Sequence, residues 1–276
     1  MSGLFSGLMA GTWLEATIMA LVAGAVGFFV VLRGATFAAH AIPQGAFTGA
    51  AGAALVGVGT LVGVGTFSLL GVLAISLLSR HGRPDVVTAL SLVALLGTGS
   101  LFLSMSTQYS EQTFSLLFGE PLAVSSSEVL PTMAIGAACV FAVLALYRPL
   151  LLSSVAPELA LAQGVRPGLV ELGFLLAVGA ATTMALPVVG ALLVFSLMIG
   201  PPAAARAIAH RPGAAMALSS ALALVTAWAS ILASWWSNWP LGFFVGSFGL
   251  IWYGVGRLLA AEHRPWPRRL LVGSLS

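Results

Sequence analysis

Two polar side chains stand out in the stretch LRGATFAAHAIPQGAFTGAAGAAL, residues 32–55: His40 and, four positions on, Gln44. Residues i and i+4 of a helix share a face, so the imidazole and the amide point the same way. Pro43 between them has no amide hydrogen, which leaves the carbonyl of Ala39 without its helical partner. An imidazole nitrogen, an amide oxygen and a free carbonyl together make a partial site for a cation. The same groups could equally hydrogen-bond to neighbouring helices, and on this stretch alone both readings stay open.

The rest of the chain gives the pair its weight. Fifty-nine per cent of the 276 residues are hydrophobic and 7% are charged, against about 25% charged in soluble domains. Such a chain cannot cover itself with charge and needs an apolar solvent; spans of roughly 20 apolar residues cross a bilayer. A polar residue at membrane depth is costly and marks a functional site by default. The net charge of +3 reports loop topology and not nucleic-acid binding. Cys139 is the single cysteine, which excludes an intrachain disulfide or a CxxC metal site; it lies in an apolar run and reads as packing. The first ten residues lack a positive n-region, and the run from Trp13 to Leu32 is long enough to span, so no cleavable signal is expected.

Nine apolar segments follow one another: 13–32, 37–58, 60–79, 86–105, 129–147, 169–186, 188–205, 214–234 and 242–260. A break at Pro187 would lower the count to eight. All eleven basic residues are arginine, and they fall in alternate loops: Arg33, then Arg80 and Arg83, Arg148 and Arg166, Arg206 and Arg211, and Arg257 to Arg269. The positive-inside rule assigns those loops and the C-terminus to the cytoplasm, and nine spans put the N-terminus outside. Trp235, Trp236 and Trp239 cluster at an outer boundary as an aromatic belt does. The longest polar stretch, 105–128, holds Glu111, Glu120 and Glu128, either as a solvated loop or as a cation-attracting external mouth. Gly45, Gly49 and Gly52, with Gly59 and Gly63, let helix backbones approach closely, which puts the second helix deep in the bundle.

No soluble catalytic domain is legible. GxxxxGK[ST], HExxH and GxSxG are all absent, so phosphate-loop ATP hydrolysis and the common hydrolase chemistries are excluded. His40 is the only histidine in an apolar run; His81, His210 and His263 lie in the arginine loops. An intramembrane hydrolase lacks its second catalytic group. An ion-coupled secondary transporter, the alternative function, usually shows inverted repeats and more intramembrane acids, and here Glu15 is the nearest candidate.

Five motifs in order carry a resemblance that runs over nearly the whole chain. FFVVLRG (28–34) is similar to FVVLRR; AHAIPQGAFTG (39–49) to G-D-A-L-S-H-A-x-x-x-G; and LLFGEPLAVS (116–125) to LFG-x-x-L-A-V-S. LYRPLLLSSVAPELALAQGV (146–165) is similar to L-Y-R-x-L-x-x-x-x-x-D-P-E-x-A-x-x-x-G-V, and VVGALLVFSLMIGPPAAARAIA (188–209) to V-G-x-L-L-x-x-A-L-L-I-x-P-A-A-T-A-R. The chain resembles the permease subunit of the zinc- and manganese-importing family of ABC transporters. The resemblance implies one all-α transmembrane domain over 1–276, a polytopic bundle of eight or nine helices like type II ABC importer permeases, in a bacterial inner membrane.

It implies partners as well: a second copy of the chain, two copies of a separate cytoplasmic ATPase, and an extracytoplasmic binding protein that delivers the metal. No cofactor is expected to stay bound; zinc or manganese is cargo, and ATP belongs to the partner. The family's metal-site aspartate position is read as His40 and its histidine position as Gln44; the acid before the last P-x-G is Asn238. The aspartate of D-P-E is Ala156, leaving Pro157 and Glu158. Those two residues, with Ala205, Arg206 and His210, are the expected ATPase contact. Neutral ligands hold a divalent cation less tightly than carboxylates, which suits conduction. Imidazole suits zinc, so zinc is expected over manganese.

Overall fold

The computed structural model describes residues 7–79, 83–105 and 126–263, all of them helical or in short connections. The helices are α1 (Gly7–Arg33), α2 (Thr36–Val56), α3 (Thr60–Leu78), α4 (Pro84–Ser104), α5 (Ser126–Ala145) and α6 (Tyr147–Val155). They continue as α7 (Pro157–Ala162), α8 (Pro167–Val189), α9 (Ala191–Ile208), α10 (Pro212–Ser237) and α11 (Leu241–His263). Proline opens α4, α7, α8 and α10, where its missing N–H costs nothing and its fixed φ is already helical.

Each of the nine apolar segments holds a helix. Six of them are long and apolar enough to cross a membrane alone, and α5 with α6, bent by 53°, makes a seventh. α2 falls short because it carries glycines, a proline and polar residues, and α9 because its apolar stretch, Leu193–Ile208, is short. Both are inner helices: α2 packs against α3, α4, α8 and α9, and α9 against α1, α10 and α11. A helix sheathed by protein needs no lipid-compatible surface. The break expected at Pro187 lies instead at Gly190, whose φ of 80° and ψ of 160° suit glycine alone; helix α8 runs on through Pro187 to Val189.

Lipid tails are as apolar as leucine, so packing and interhelical hydrogen bonds must hold the bundle. α1 and α10 run antiparallel at close range, with Ser219 donating to the Gly24 carbonyl (2.6 Å), Ser220 to Leu21 (3.1 Å) and the Trp228 indole to the Thr17 hydroxyl (3.0 Å). A Cβ on Gly24 would overlap the backbone of Ser220. The expected depth of α2 is borne out: Ala39 and most residues from Ala41 to Ala53 are buried, and a Cβ on Gly49 would overlap the Gly63 carbonyl of α3. The main core joins Phe28, Phe29 and Val26 of α1 to Phe174 and Val178 of α8, Leu197 and Met198 of α9, and Leu150 of α6.

Candidate functional site

His40 lies just over one turn into α2 and is half-buried. Its ring meets Phe195 of α9 edge-on, with centroids 4.7 Å apart, and its Nδ1 is buried without a hydrogen-bond partner. An imidazole nitrogen held in apolar surroundings with no protein partner has its lone pair or proton to offer to something that passes. Gln44, one turn on, is 8% exposed, and Thr48, one turn further, donates to the Leu95 carbonyl of α4 at 2.5 Å. The expected pairing of His40 and Gln44 on one face therefore continues as a polar stripe along α2. Among the described residues no three His, Cys, Asp or Glu side chains gather at a spacing that would hold a metal ion.

Asn238 is the C-cap of α10 and takes the left-handed conformation at φ 56°, which asparagine tolerates better than most residues. The antiparallel register of α1 and α10 puts it at the end of the bundle opposite Arg33, beside the exposed Trp235, Trp236 and Trp239. Among the described residues no hydrogen bond joins it to His40 or Gln44. Glu111 and Glu120 lie outside the described residues, and of Glu128 only the backbone, in the first turn of α5, is described.

The other residues gather at the Arg33 end. Past the bend after α5, helices α6 and α7 form an elbow on which Pro157 and Glu158 open α7 and are exposed. Around them Val155, Leu159 and Leu161 are 67%, 50% and 59% exposed, whereas Ala160 is buried and anchors the turn. Beyond the bend these apolar side chains stand exposed on the elbow. Sequence reasoning missed these three; their signal is the i, i+4 spacing of Val155 and Leu159 across the Pro157 break. Arg206 and His210 are exposed and line an open cleft of about 730 Å³ with Val31, Tyr253 and Arg257. Arg206 donates to the Val31 carbonyl at 2.9 Å. Ala205 is a correction: it is fully buried, on the turn of α9 whose Ala204 packs against Gly256 of α11, and it presents nothing to a partner.

A family profile described as the ABC 3 transport family matches residues 6–246. The chain belongs to the ABC 3 transport family. Similar proteins include the manganese import system permease protein ScaB of Streptococcus parasanguinis, 26% identical over 91% of this chain and 90% of that one. The high-affinity zinc uptake system membrane protein ZnuB of Haemophilus influenzae is 27% identical over 76% and 79%. Among solved structures, PsaBC from Streptococcus pneumoniae in complex with Fab superposes with a TM-score of 0.83 at 23% identity, over 92% of this chain and 93% of that chain. An inward-facing putative metal-chelate type ABC transporter gives 0.66 at 17%, over 89% and 85%. The two folds are alike.

The motif resemblance noted for this stretch also admits a second register. Laying G-D-A-L-S-H-A on ATFAAHA (35–41) sets the motif's histidine on His40 and its aspartate on Thr36, and the closing glycine falls on Gly45. In that register His40 would match the motif's histidine, Thr36 would stand where the motif has its aspartate, and Gln44 lies one turn beyond. Thr36 is the first residue of α2 and is exposed. Thr36, His40, Gln44 and Thr48 recur every fourth residue, so each lies one turn from the next along α2.

Proposed function

We propose that the chain is the membrane-spanning permease of an ATP-driven importer of divalent metal, with zinc as its cargo. Family membership and the named manganese and zinc relatives support the class, and leave the ion-coupled alternative without support. One observation carries the choice of metal: the described face of α2 offers an unpartnered imidazole at His40 with amide, hydroxyl and carbonyl oxygens, and no carboxylate. Nitrogen donors favour zinc, and manganese prefers carboxylate oxygen. A path of neutral groups releases the ion readily, so it passes along α2 without being stored.

In this reading two copies enclose the path, and each docks a separate ATPase on its α6–α7 elbow through Glu158, Pro157 and the apolar rim of Val155 and Leu159. Arg206 and His210 extend the contact. The arginine-bearing end faces the cytoplasm of a bacterial cell, and an extracytoplasmic binding protein loads metal at the opposite end, near Glu111, Glu120, Glu128 and Asn238. The ATPase supplies hydrolysis; the permease supplies the path and couples it to that work. Vesicles holding the reconstituted permease–ATPase complex, supplied with the binding protein and labelled zinc or manganese, test the reading. ATP-dependent zinc accumulation in preference to manganese is expected. A preference for manganese overturns the cargo, and uptake without any need for ATP overturns the class.

A further inference from the structure

Arg33 ends α1 on the side of the elbow, and its guanidinium meets three side-chain oxygens and one aromatic ring. One terminal nitrogen donates to the hydroxyls of Ser153 (2.9 Å) and Ser154 (3.3 Å) on α6, and the other to the Glu171 carboxylate on α8. The plane lies 5.3 Å from the ring of Phe174, a core residue of α8. Both serines pass their own hydrogens to the Leu150 carbonyl, so their lone pairs are left to accept from Arg33. The network has one direction, from Arg33 through the serines into the last turns of α6. Lysine carries a point charge and no planar fork, and cannot meet two hydroxyls, a carboxylate and an aromatic face together. The Arg33 side chain is 14% exposed, far more buried than a charge placed for solubility.

A two-residue turn joins Arg33 to α2. Gly34 adopts φ 69°, Ala35 donates back to Val30 (3.0 Å) and Ala39 to Ala35 (3.0 Å), so the backbone passes from α1 into α2 without slack. Arg206, from α9, holds the last turn of α1 through the Val31 carbonyl. His40 is seven residues from Arg33. We propose that Arg33 is a coupling latch, which ties the elbow proposed above as the ATPase dock to the turn that starts the metal-path helix α2. The proposal rests on that docking reading. Movement of α6 against α8 either carries the end of α1, and with it the start of α2, or breaks the serine and carboxylate bonds. Arg33 is a positioning residue: it touches no metal and acts through α2.

The test uses vesicles with the full permease–ATPase complex and the binding protein, measuring labelled zinc taken up and phosphate released in the same sample. Arg33→Gln should lower zinc moved per ATP hydrolysed by about tenfold, inside the range of coupling between linked sites, with the amount of bound ATPase retained. Ser153→Ala with Ser154→Ala should lower the ratio by less, and the charge swap Arg33→Glu with Glu171→Arg should regain part of it. A purely structural residue would lower uptake and hydrolysis together and leave their ratio alone, which overturns the latch. If Arg33→Gln does not insert, the double serine variant, which keeps the ion pair, decides: an unchanged ratio overturns the proposal. Glu158→Arg separates the two readings. If it leaves ATPase binding and hydrolysis untouched, the docking reading falls and takes the latch with it. If it releases the ATPase while the Arg33 and serine variants keep the wild-type ratio, the latch alone falls.

Discussion

At the scale of single residues the metal path reduces to what His40 and its neighbours on α2 offer. His40→Ala removes the imidazole and should abolish or sharply reduce zinc uptake per folded, ATPase-bound permease. Were His40 only a packing group, the same change would cost about 1 kcal/mol, as interhelical polar contacts in membranes do, and normalised uptake would survive. The Nδ1, buried without a hydrogen-bond partner, argues for the first outcome. Thr36→Asp restores a carboxylate one turn before His40, and should shift competition between labelled zinc and manganese towards manganese, because oxygen is the harder donor. Gln44→Leu keeps volume and deletes the oxygen; uptake should fall less than for His40→Ala, an amide being the poorer ligand. Of this site the imidazole and its helix face were legible from residue type and spacing. Arg33 was not: a lone arginine after a span reads as topology, and only the fold brings Ser153, Ser154 and Glu171, more than a hundred residues away, around it.

At the scale of elements, apolar runs located the helices, because a bilayer demands them, but could not distinguish a lipid-facing helix from a sheathed one. α2 shows why: its glycines and polar groups face protein, and hydropathy does not register what a helix packs against. The elbow was hidden for a similar reason, since α6 continues the apolar run of α5 and the 53° bend between them leaves no mark beyond Pro149 and Pro157. Two changes test these elements. Gly49→Leu must push α2 from α3, because even a Cβ would overlap the Gly63 carbonyl; overpacking of this kind costs about 1–3 kcal/mol. A lower midpoint of thermal unfolding in detergent is expected, and an unchanged one would mean that α2 and α3 are not in contact. Glu158→Arg changes only an exposed side chain, so insertion and thermal stability should persist while uptake-coupled ATP hydrolysis falls. Unchanged hydrolysis and uptake would remove the elbow from the ATPase contact.

At the scale of the whole molecule the question is how often the chain crosses the membrane, and the arginines supply the answer. Contacts gather Arg33, Arg206, Arg257 and His210 at one end of the bundle, through the Arg206–Val31 bond and the shared cleft. Trp235, Trp236 and Trp239 lie at the other end, held there by the register of α1 against α10. The break at Gly190 decides the parity. α8 starts at the arginine end, beside Arg166, and α9 returns to it at Arg206, so the two are separate passes and not one bent span. With α2 and α9 each taken as a pass, the described helices make five before the elbow and four after it, and nine would put the two ends of the chain on opposite sides. Eight would put them on the same side. A reporter that is active only in the cytoplasm should therefore work when fused after Ser276 and fail ahead of α1, and one inserted near Ser110 should fail as well. The positive-inside rule fixes the sense. Activity at both termini would mean an even number of passes, with α8 and α9 sharing one, and the parallel packing of α9 on α11 through Gly200 and Gly249 would then have to arise from a re-entrant α9.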